Sequence, residues 1–404
     1  MNKLRNSISW FKNNSDLVYL DSAATSLKPD YVLQGMLDYA QHDCTNPHNS
    51  DSLFAFKALQ VMKKTKEKLA KLLNCNSNEL AFTPGATFSL NMIADSLTSF
   101  LQQDDEIILT NAEHASNLLP WFKLRDEKKI VIKFAQTSLE DNDLENHAII
   151  KLITSKTKII SFANETNLFG NTIDAQKLSK IIKKINQNIF ICLDSTQYVA
   201  HHKLDLNNSQ VDFAVGSAHK MLGPSGIGFL YINKKLIENI KPTIMGGGMN
   251  FEIRKSFYTL MSDISKFEAG TPNIMGIYGW NKALDWYLKN DLQKESLRIY
   301  QLKNILEKEL SEIKDIKILN PKINSFILLF TYNNIFSQDI ASYLGNNGVI
   351  VRSGLSCAKL ADEIINIPHA VRVSLHFYTN ENDILKLIDL LKKYKRGDEL
   401  DGII

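Results

Sequence analysis

The sequence has no apolar run long enough to cross a membrane. A bilayer-spanning helix needs roughly 20 consecutive apolar residues, and no stretch of the 404 residues is that long. The opening residues, Met1 to Trp10, also have no apolar middle of the kind found in a signal peptide. These absences argue against a membrane protein or a secreted one, and we expect the protein to act in the cytoplasm.

The sequence also has little net charge and few cysteines. Lys and Arg number 47 against 44 Asp and Glu, which leaves a formal charge of +3, and there is no long basic run. Nucleic-acid binding is therefore not expected. The four cysteines, Cys44, Cys75, Cys192 and Cys357, lie too far apart in the sequence to indicate a zinc site or a dense disulfide framework. We expect no metal site and at least one reactive thiol.

The length of the chain predicts more than one domain, because a single small core cannot use 404 residues. Short apolar runs bounded by turn residues alternate with helical patterns, which indicates an α/β protein. We place an N-terminal segment at residues 1–18, a large domain at 19–289 and a small domain at 290–404.

Two neighbouring apolar runs predict the centre of a ligand site. One run ends at Asp194, and the next leads to Lys220. Ligands of parallel sheets bind beyond the carboxyl ends of the strands, so both side chains are expected to face one pocket. A carboxylate keeps a pyridine nitrogen protonated, and a lysine amine can form a Schiff base. Asp194 and Lys220 together predict a pyridoxal phosphate site. The dipeptide His219-Lys220 alone would more often lie on the surface, so the prediction rests on its combination with Asp194 and with the turn Gly223 to Gly228.

A strand-to-helix junction predicts where a phosphate group binds. The turn Pro84-Gly85 follows a strand, and Ala86 and Thr87 begin a helix. The free backbone N–H groups of a helix start bind anions, and Thr87 adds a hydroxyl. No Gly-Lys-Ser/Thr follows, which excludes a P-loop. An ordinary helix cap explains this stretch, taken alone, equally well.

His114 comes shortly after another predicted strand, Glu106 to Thr110. A lone histidine is more often structural than catalytic, but the end of a strand in an α/β protein is a favoured place for catalytic residues. His114 is therefore a candidate.

Two candidates lie near the C-terminus. Cys357 is surrounded by small residues, which is typical of an accessible thiol, whereas Cys192 lies in an apolar strand and is expected to be inert. Arg372 is a charge within an apolar alternation, so it needs an anionic partner. That partner is either a substrate carboxylate bound by two hydrogen bonds or a carboxylate of the chain itself, in a buried ion pair.

In combination these motifs resemble the class V aminotransferase family, and among its members most of all the SUF-type cysteine desulfurases. The resemblance covers nearly the whole chain from about Tyr19, and its motifs are Asp194-x-x-Gln197 and Ser217-x-His219-Lys220. The interval of 15 residues from Cys357 to Arg372 (372 − 357) matches the SUF type. The resemblance implies an α/β protein of fold type I, with a mainly parallel seven-stranded sheet in the large domain and a smaller α+β domain at the C-terminus.

The resemblance also implies roles for residues. Lys220, Cys357 and His114 would be catalytic, and Arg372, Asn167 and Ala23 would bind the substrate. Pyridoxal 5'-phosphate would be held by a larger set: Ala86, Thr87, His114, Asn167, Asp194, Gln197, Ser217, His219, Lys220 and Thr271. His48 matches a family histidine, while Leu355-Ser356 stand where SUF-type members often have histidines.

The implied reaction converts L-cysteine to L-alanine and leaves a persulfide on Cys357 for iron–sulfur cluster assembly. The implied assembly is a homodimer in which Thr271 reaches the neighbouring active site, with a sulfur-acceptor protein as a further partner. Two alternatives remain open at this point. One is a selenocysteine lyase or another β-elimination enzyme of the family, and the other is a catalytically silent scaffold for sulfur transfer, against which the intact Asp194, Lys220 and Arg372 argue.

Overall fold

The structure is a computed structural model of the chain, and it describes residues 2–47, 51–139, 148–321, 323–365 and 369–398. The strands in chain order are β1 Val18–Tyr19, β2 Leu80–Thr83, β3 Glu106–Thr110, β4 Val131–Ala135, β5 Thr157–Ala163, β6 Phe190–Asp194, β7 Phe213–Ser217, β8 Gly228–Ile232, β9 Asn250–Ile253, β10 Tyr258–Leu260, β11 Ile316–Ile318, β12 Ile327–Tyr332, β13 Val349–Ile350, β14 Arg352–Ser353 and β15 Val371–Ser374.

The helices that we number are α1 Lys3–Asn6, α2 Ser9–Asn13, α3 Asp30–Asp38, α4 Leu53–Leu73, α5 Ala86–Leu97, α6 Leu119–Lys128, α7 Ala175–Ile185, α8 Lys234–Ile237, α9 Ile274–Lys289, α10 Leu292–Ser311, α11 Ser337–Asn346, α12 Asp362–Ile365 and α13 Glu381–Lys393. Within the part of the chain that the structure describes, no helix is long and apolar enough to span a bilayer.

The main sheet has seven strands in the order β2-β8-β7-β6-β5-β3-β4. Strand β8 is antiparallel to its two neighbours, and the other pairings are parallel. Successive residues of a strand point to opposite faces of the sheet, so Ile191 and Leu193 join one apolar cluster while Cys192 joins another. Both faces are covered, which explains why β6 reads as a continuous apolar run. The predicted mainly parallel seven-stranded sheet is confirmed.

The C-terminal part of the chain forms a second sheet, of four antiparallel strands in the order β11-β12-β15-β14. The two-residue strand β1 pairs with β13, so the start of the chain lies against this C-terminal part. Helix α9 ends at Lys289 and α10 begins at Leu292, where the sequence predicts the boundary between domains. The division into 1–18, 19–289 and 290–404 stays a prediction.

Candidate active site

The parallel strands end along one edge of the main sheet, and the candidate residues follow those ends. Strand β6 stops at Asp194, and β7 stops at Ser217 and continues through a single 3-10 turn to Lys220. Ala163, the last residue of β5, is in register with Asp194. A cavity of about 300 Å³ opens at this edge.

Twelve of the thirteen residues predicted from the sequence line this one cavity. They are Ala23, Ala86, Thr87, His114, Asn167, Asp194, Gln197, Ser217, His219, Lys220, Cys357 and Arg372. The cavity wall also includes Glu165 and Arg352, which the sequence did not single out. The loop at His48 lies outside the described residues.

Lys220 is half-buried, and its amine points at the protein backbone. The Nζ atom donates a hydrogen bond to the carbonyl oxygen of Ala23. Burial, together with the positive charge of Arg372, lowers the pKa of Lys220 to about 7, although Asp194 and Asp21 act in the opposite direction. A large fraction of the amine is therefore neutral at physiological pH, and a neutral amine is both a nucleophile and a base.

Asp194 supplies the carboxylate of the pocket. Its Oδ1 atom accepts hydrogen bonds from the Thr196 backbone N–H at 3.0 Å and from the Thr196 hydroxyl at 2.5 Å. These bonds fix its orientation at the end of β6. A fixed, buried carboxylate fits the protonated ring nitrogen of pyridoxal phosphate.

The first turn of α5 forms an anion cradle. Gly85 at its start has a φ of +154° and provides no side-chain cap. Apart from the N–H of Ala86, which Ser217 binds, the first N–H groups of the helix therefore stay open to a ligand. Ser217 Oγ accepts from the backbone N–H of Ala86 at 2.9 Å, and the Thr87 hydroxyl lies 2.7 Å from that of Ser116. Helix amides and hydroxyls at one wall of the cavity fit a phosphate group.

His114 and Glu113 occupy adjacent positions but serve different purposes. Nδ1 of His114 accepts from the Ser116 backbone N–H at 3.1 Å, so the ring hydrogen of the neutral form is on Nε2. Burial lowers the pKa of His114. Glu113 is fully buried, which raises its pKa to about 7, and it accepts from Thr110 at 2.7 Å and from the Ala163 backbone N–H at 3.0 Å. Glu113 thus ties the His114 loop to strand β5.

Arg372 has a partner within the chain. Its Nη2 lies 2.9 Å from Oδ1 of Asp21, and its Nη1 donates to the carbonyl oxygen of Asn167 at 2.7 Å. Arg352 binds the other oxygen of Asp21 through Nε at 3.0 Å and Nη2 at 2.8 Å. The buried ion pair that the sequence left open is therefore present. Arg372 nevertheless lines the cavity, and its buried Nε has no hydrogen-bond partner among the described residues.

The cysteine loop brings Cys357 to the same cavity from the C-terminal part. Ser356 and Cys357 have φ values of +47° and +66°, which non-glycine residues seldom adopt. Two bonds hold this conformation: Ala115 N–H donates to the Cys357 carbonyl at 2.9 Å, and the Asn167 amide donates to the Ser356 carbonyl at 2.7 Å. Leu355 anchors the loop in an apolar cluster. The Cys357 residue is exposed, as predicted.

Cys192 is the contrasting thiol. It is fully buried, and burial raises its pKa well above the ordinary value. The predicted difference between an inert Cys192 and an accessible Cys357 is confirmed as a difference in exposure.

Thr271 is the predicted residue that the single chain does not bring into the site. It lines a separate cavity of about 150 Å³, next to Phe88 and Ile244. Glu268 fixes the loop before it, because its carboxylate accepts from the Phe82 backbone N–H at 2.6 Å and pairs with Lys66 at 2.8 Å. The described residues contain no cluster of side chains suited to a metal ion.

Comparisons with known proteins identify the family. The family model for "Aminotransferase class-V" matches residues 18–387. A "probable cysteine desulfurase" of Ureaplasma parvum serovar 3 is 44% identical, with 100% of both chains covered. Another, of Mycoplasma genitalium, is 37% identical and covers 97% of this chain and 96% of its own.

Solved structures show the same relation. The crystal structure of the cysteine desulfurase CsdA from Escherichia coli superposes with a TM-score of 0.88 at 28% identity, with 96% of each chain covered. The fold and the site define a pyridoxal phosphate enzyme of fold type I. More particularly, the chain belongs to the class-V aminotransferase family, and within it to the cysteine desulfurases.

Proposed function

We propose that this chain, a pyridoxal phosphate-dependent cysteine desulfurase, converts L-cysteine to L-alanine by passing the substrate sulfur to Cys357. One observation carries the proposal: an exposed thiol on a clamped loop shares a cavity with the half-buried Lys220 side chain and the buried Arg372 guanidinium. Other class-V enzymes of the elimination type need the amine and the guanidinium, but they do not always need the thiol.

The residues present would hold the cofactor at defined points. The α5 amides with Thr87, Ser217 and His219 would bind its phosphate, and burial lowers the pKa of His219 to about 4, so that histidine binds as a neutral donor. Asp194 would pair with the ring nitrogen, while His114, Gln197 and Asn167 would surround the ring. When bound, pyridoxal phosphate draws electrons away from the substrate Cα.

Arg372 would bind the substrate carboxylate. Its unpartnered Nε and the cavity beside it support this role, although Asp21 already neutralises part of its charge. Ala23 and Asn167 border the same space and would complete the substrate pocket. Because Asp21 also binds Arg352, that second guanidinium lies at the same wall.

Lys220 and Cys357 would carry out the proton and sulfur transfers. The Lys220 amine, neutral in large part near pH 7, accepts the Cα proton of the substrate. The Cys357 thiolate attacks the substrate sulfur, the Cβ–S bond breaks with its electron pair left on the carbon, and protons returned to Cβ and to Cα give alanine. The enzyme thiol and L-cysteine thus become the enzyme persulfide and L-alanine, and a later thiol or reductant releases the sulfur.

We further propose a homodimer in which Thr271 completes the partner's phosphate site. The position of Thr271 beside a second cavity, outside its own chain's site, supports this arrangement. The sulfur-acceptor partner, the supply of sulfur to iron–sulfur assembly and the cytoplasmic location remain predictions.

A single-turnover experiment tests the proposal. The protein is mixed with L-cysteine without reductant. The alanine formed is quantified, and the mass of the peptide that contains Cys357 is measured by mass spectrometry. We expect about one alanine per chain and one added sulfur atom on Cys357. Continued release of sulfide and pyruvate, with Cys357 unmodified, would instead indicate an elimination enzyme.

A further inference from the structure

His376 is a buried histidine that lies close to the site without lining the cavity. It follows β15, the strand that carries Arg372, and its ring is fully buried. The ring stacks on Tyr378 with centroids 4.9 Å apart and planes 5° apart, and it lies 4.8 Å from the ring of His201.

Two hydrogen bonds define the tautomer of His376. The backbone N–H of Phe377 donates to Nδ1 at 2.9 Å, so Nδ1 carries no hydrogen and the neutral ring has its hydrogen on Nε2. Nε2 lies 3.2 Å from the backbone carbonyl oxygen of Lys220, which can only accept. Both contacts therefore require the same neutral tautomer, with Nε2 donating to Lys220.

The same C-terminal segment also reaches the other end of Lys220. The Lys220 amine donates to the carbonyl oxygen of Ala23, and the backbone N–H of Ala23 donates to Ser374 Oγ at 2.9 Å. The Tyr378 hydroxyl lies 2.8 Å from that of Ser22. Residues 374–378 thus hold the Lys220 carbonyl directly, and hold its amine through the segment at Ala23.

We propose that His376 is a positioning residue for Lys220. By donating to the Lys220 carbonyl, it fixes the backbone from which the side chain reaches into the cavity. It also links that backbone to the strand that carries Arg372, so the amine and the guanidinium keep a constant separation. The inference rests on the proposed role of Lys220, and it assigns His376 no contact with substrate or cofactor.

Substitution of His376 by glutamine or by asparagine distinguishes its two hydrogen bonds, because the two amide side chains differ in length. In His376→Gln the side-chain amide can reach the Nε2 position and donate to Lys220, whereas in His376→Asn it reaches only the Nδ1 position beside Phe377. The matched control is His201→Phe, since His201 lies in the same aromatic cluster and stacks on Phe326 with centroids 3.8 Å apart.

The first readout needs no turnover: cofactor-free protein is mixed with pyridoxal phosphate, and the rate at which the lysine-linked absorbance appears is measured. We expect His376→Asn to be slower by about tenfold, which corresponds to the loss of one buried hydrogen bond. His376→Gln should recover to within about threefold of the native rate, and His201→Phe should keep it. The second readout is turnover, where His376→Asn should lower kcat and leave KM for L-cysteine nearly unchanged.

Melting temperatures of the cofactor-free variants show whether slower capture comes from a misplaced Lys220 or from a less stable fold. Equal capture rates for the Asn and Gln variants would overturn the proposal, and so would equal losses in His376→Asn and His201→Phe. If Lys220→Ala formed the same lysine-linked absorbance, the role of Lys220 in the proposed function would fail, which is a different result from a failure of His376.

Discussion

Lys220 shows how its surroundings prepare a residue for chemistry. Its side chain is half-buried and lines a small cavity together with the guanidinium groups of Arg372 and Arg352. Its charged form is therefore disfavoured relative to an exposed lysine. Asp194 offsets this effect only in part, and the pKa of the amine is lowered to about 7.

The pKa of Lys220 predicts the pH dependence of cofactor capture. Only the neutral amine attacks an aldehyde, so capture of pyridoxal phosphate by cofactor-free protein should rise with pH to half its maximum near pH 7. An ordinary lysine would give a midpoint about three units higher. Stopped-flow absorbance between pH 5 and pH 10 measures this, with Lys220→Ala as the blank. A midpoint above about pH 9 would contradict the account.

Arg372 predicts a selective effect on substrate binding. Lysine keeps the charge but cannot form the planar, two-bond contact with a carboxylate. We expect Arg372→Lys to raise KM for L-cysteine by about tenfold or more, because a charge-assisted hydrogen bond contributes about 1.5–3 kcal/mol. Arg352→Lys is the control, since Arg352 is half exposed and the introduced lysine keeps a positive charge beside Asp21. Equal KM values for Arg372→Lys and the native protein would remove Arg372 from the carboxylate site.

At the scale of elements, the cysteine loop has a strained backbone that neighbouring residues hold in place. Two successive left-handed residues are held by backbone contacts to the His114 loop and to Asn167. Leu355, which is 7% exposed, belongs to an apolar cluster that includes Phe169 and Leu329. The loop is therefore held in place by its apolar residue.

Leu355→Ala tests this anchorage. Removing the side chain should destabilise the protein by about 2–3 kcal/mol and make opening of the loop easier. Alkylation of Cys357, followed on its own peptide by mass spectrometry, should then be severalfold faster. Leu355→Met keeps the volume and should alkylate at nearly the native rate. If Cys357 is alkylated at the same rate in Leu355→Ala and Leu355→Met, Leu355 is not the anchor.

The sequence predicted the strand ends well, because Asp194, Ser217 and Lys220 each follow a buried apolar run that fixes which edge they share. It did not predict Asp21 and Arg352, since their contact joins residues 331 positions apart, which the pairing of β1 with β13 and the bridge between Asp21 and Ser374 bring together. The role of Asp21 depends on Arg372, which is 351 positions away in the sequence. Thr271 shows the same limit, because its predicted site needs a second chain.

At the scale of the whole molecule, a cluster of histidines connects the C-terminal sheet to the main one; His201 and His376 are buried and His202 is half-buried. His201, His202 and His376 pack with Phe326 and Tyr300. Burial lowers the pKa of His202 to about 4 and that of His376 to about 3. A histidine whose pKa is lower in the folded state than in the unfolded state does not reduce the free energy of unfolding at a pH above its unfolded-state pKa of about 6.5. As the pH falls below that value, it destabilises the fold increasingly.

His202→Phe isolates this effect. At pH 7 the variant should be slightly less stable than the native protein, because the contact of Tyr300 with His202 Nε2 at 3.3 Å is lost. As the pH falls from about 6.5 to about 5, the native protein should lose up to about 2 kcal/mol that the variant keeps. Urea unfolding at a series of pH values measures the difference. A difference that stays constant with pH would show that His202 titrates normally.

The most direct test of the central claim is the turnover of Cys357→Ala with L-cysteine. In the proposed site, cofactor attachment depends on Lys220 and Asp194, and carboxylate binding depends on Arg372. The variant should therefore bind cofactor and substrate as the native protein does. Only the thiolate accepts the sulfur, so release of alanine should fall by about a thousandfold or more. Cys44→Ala, at another exposed cysteine, should keep the native rate. Formation of alanine by Cys357→Ala at nearly the native rate would contradict the assignment of Cys357 as the sulfur acceptor.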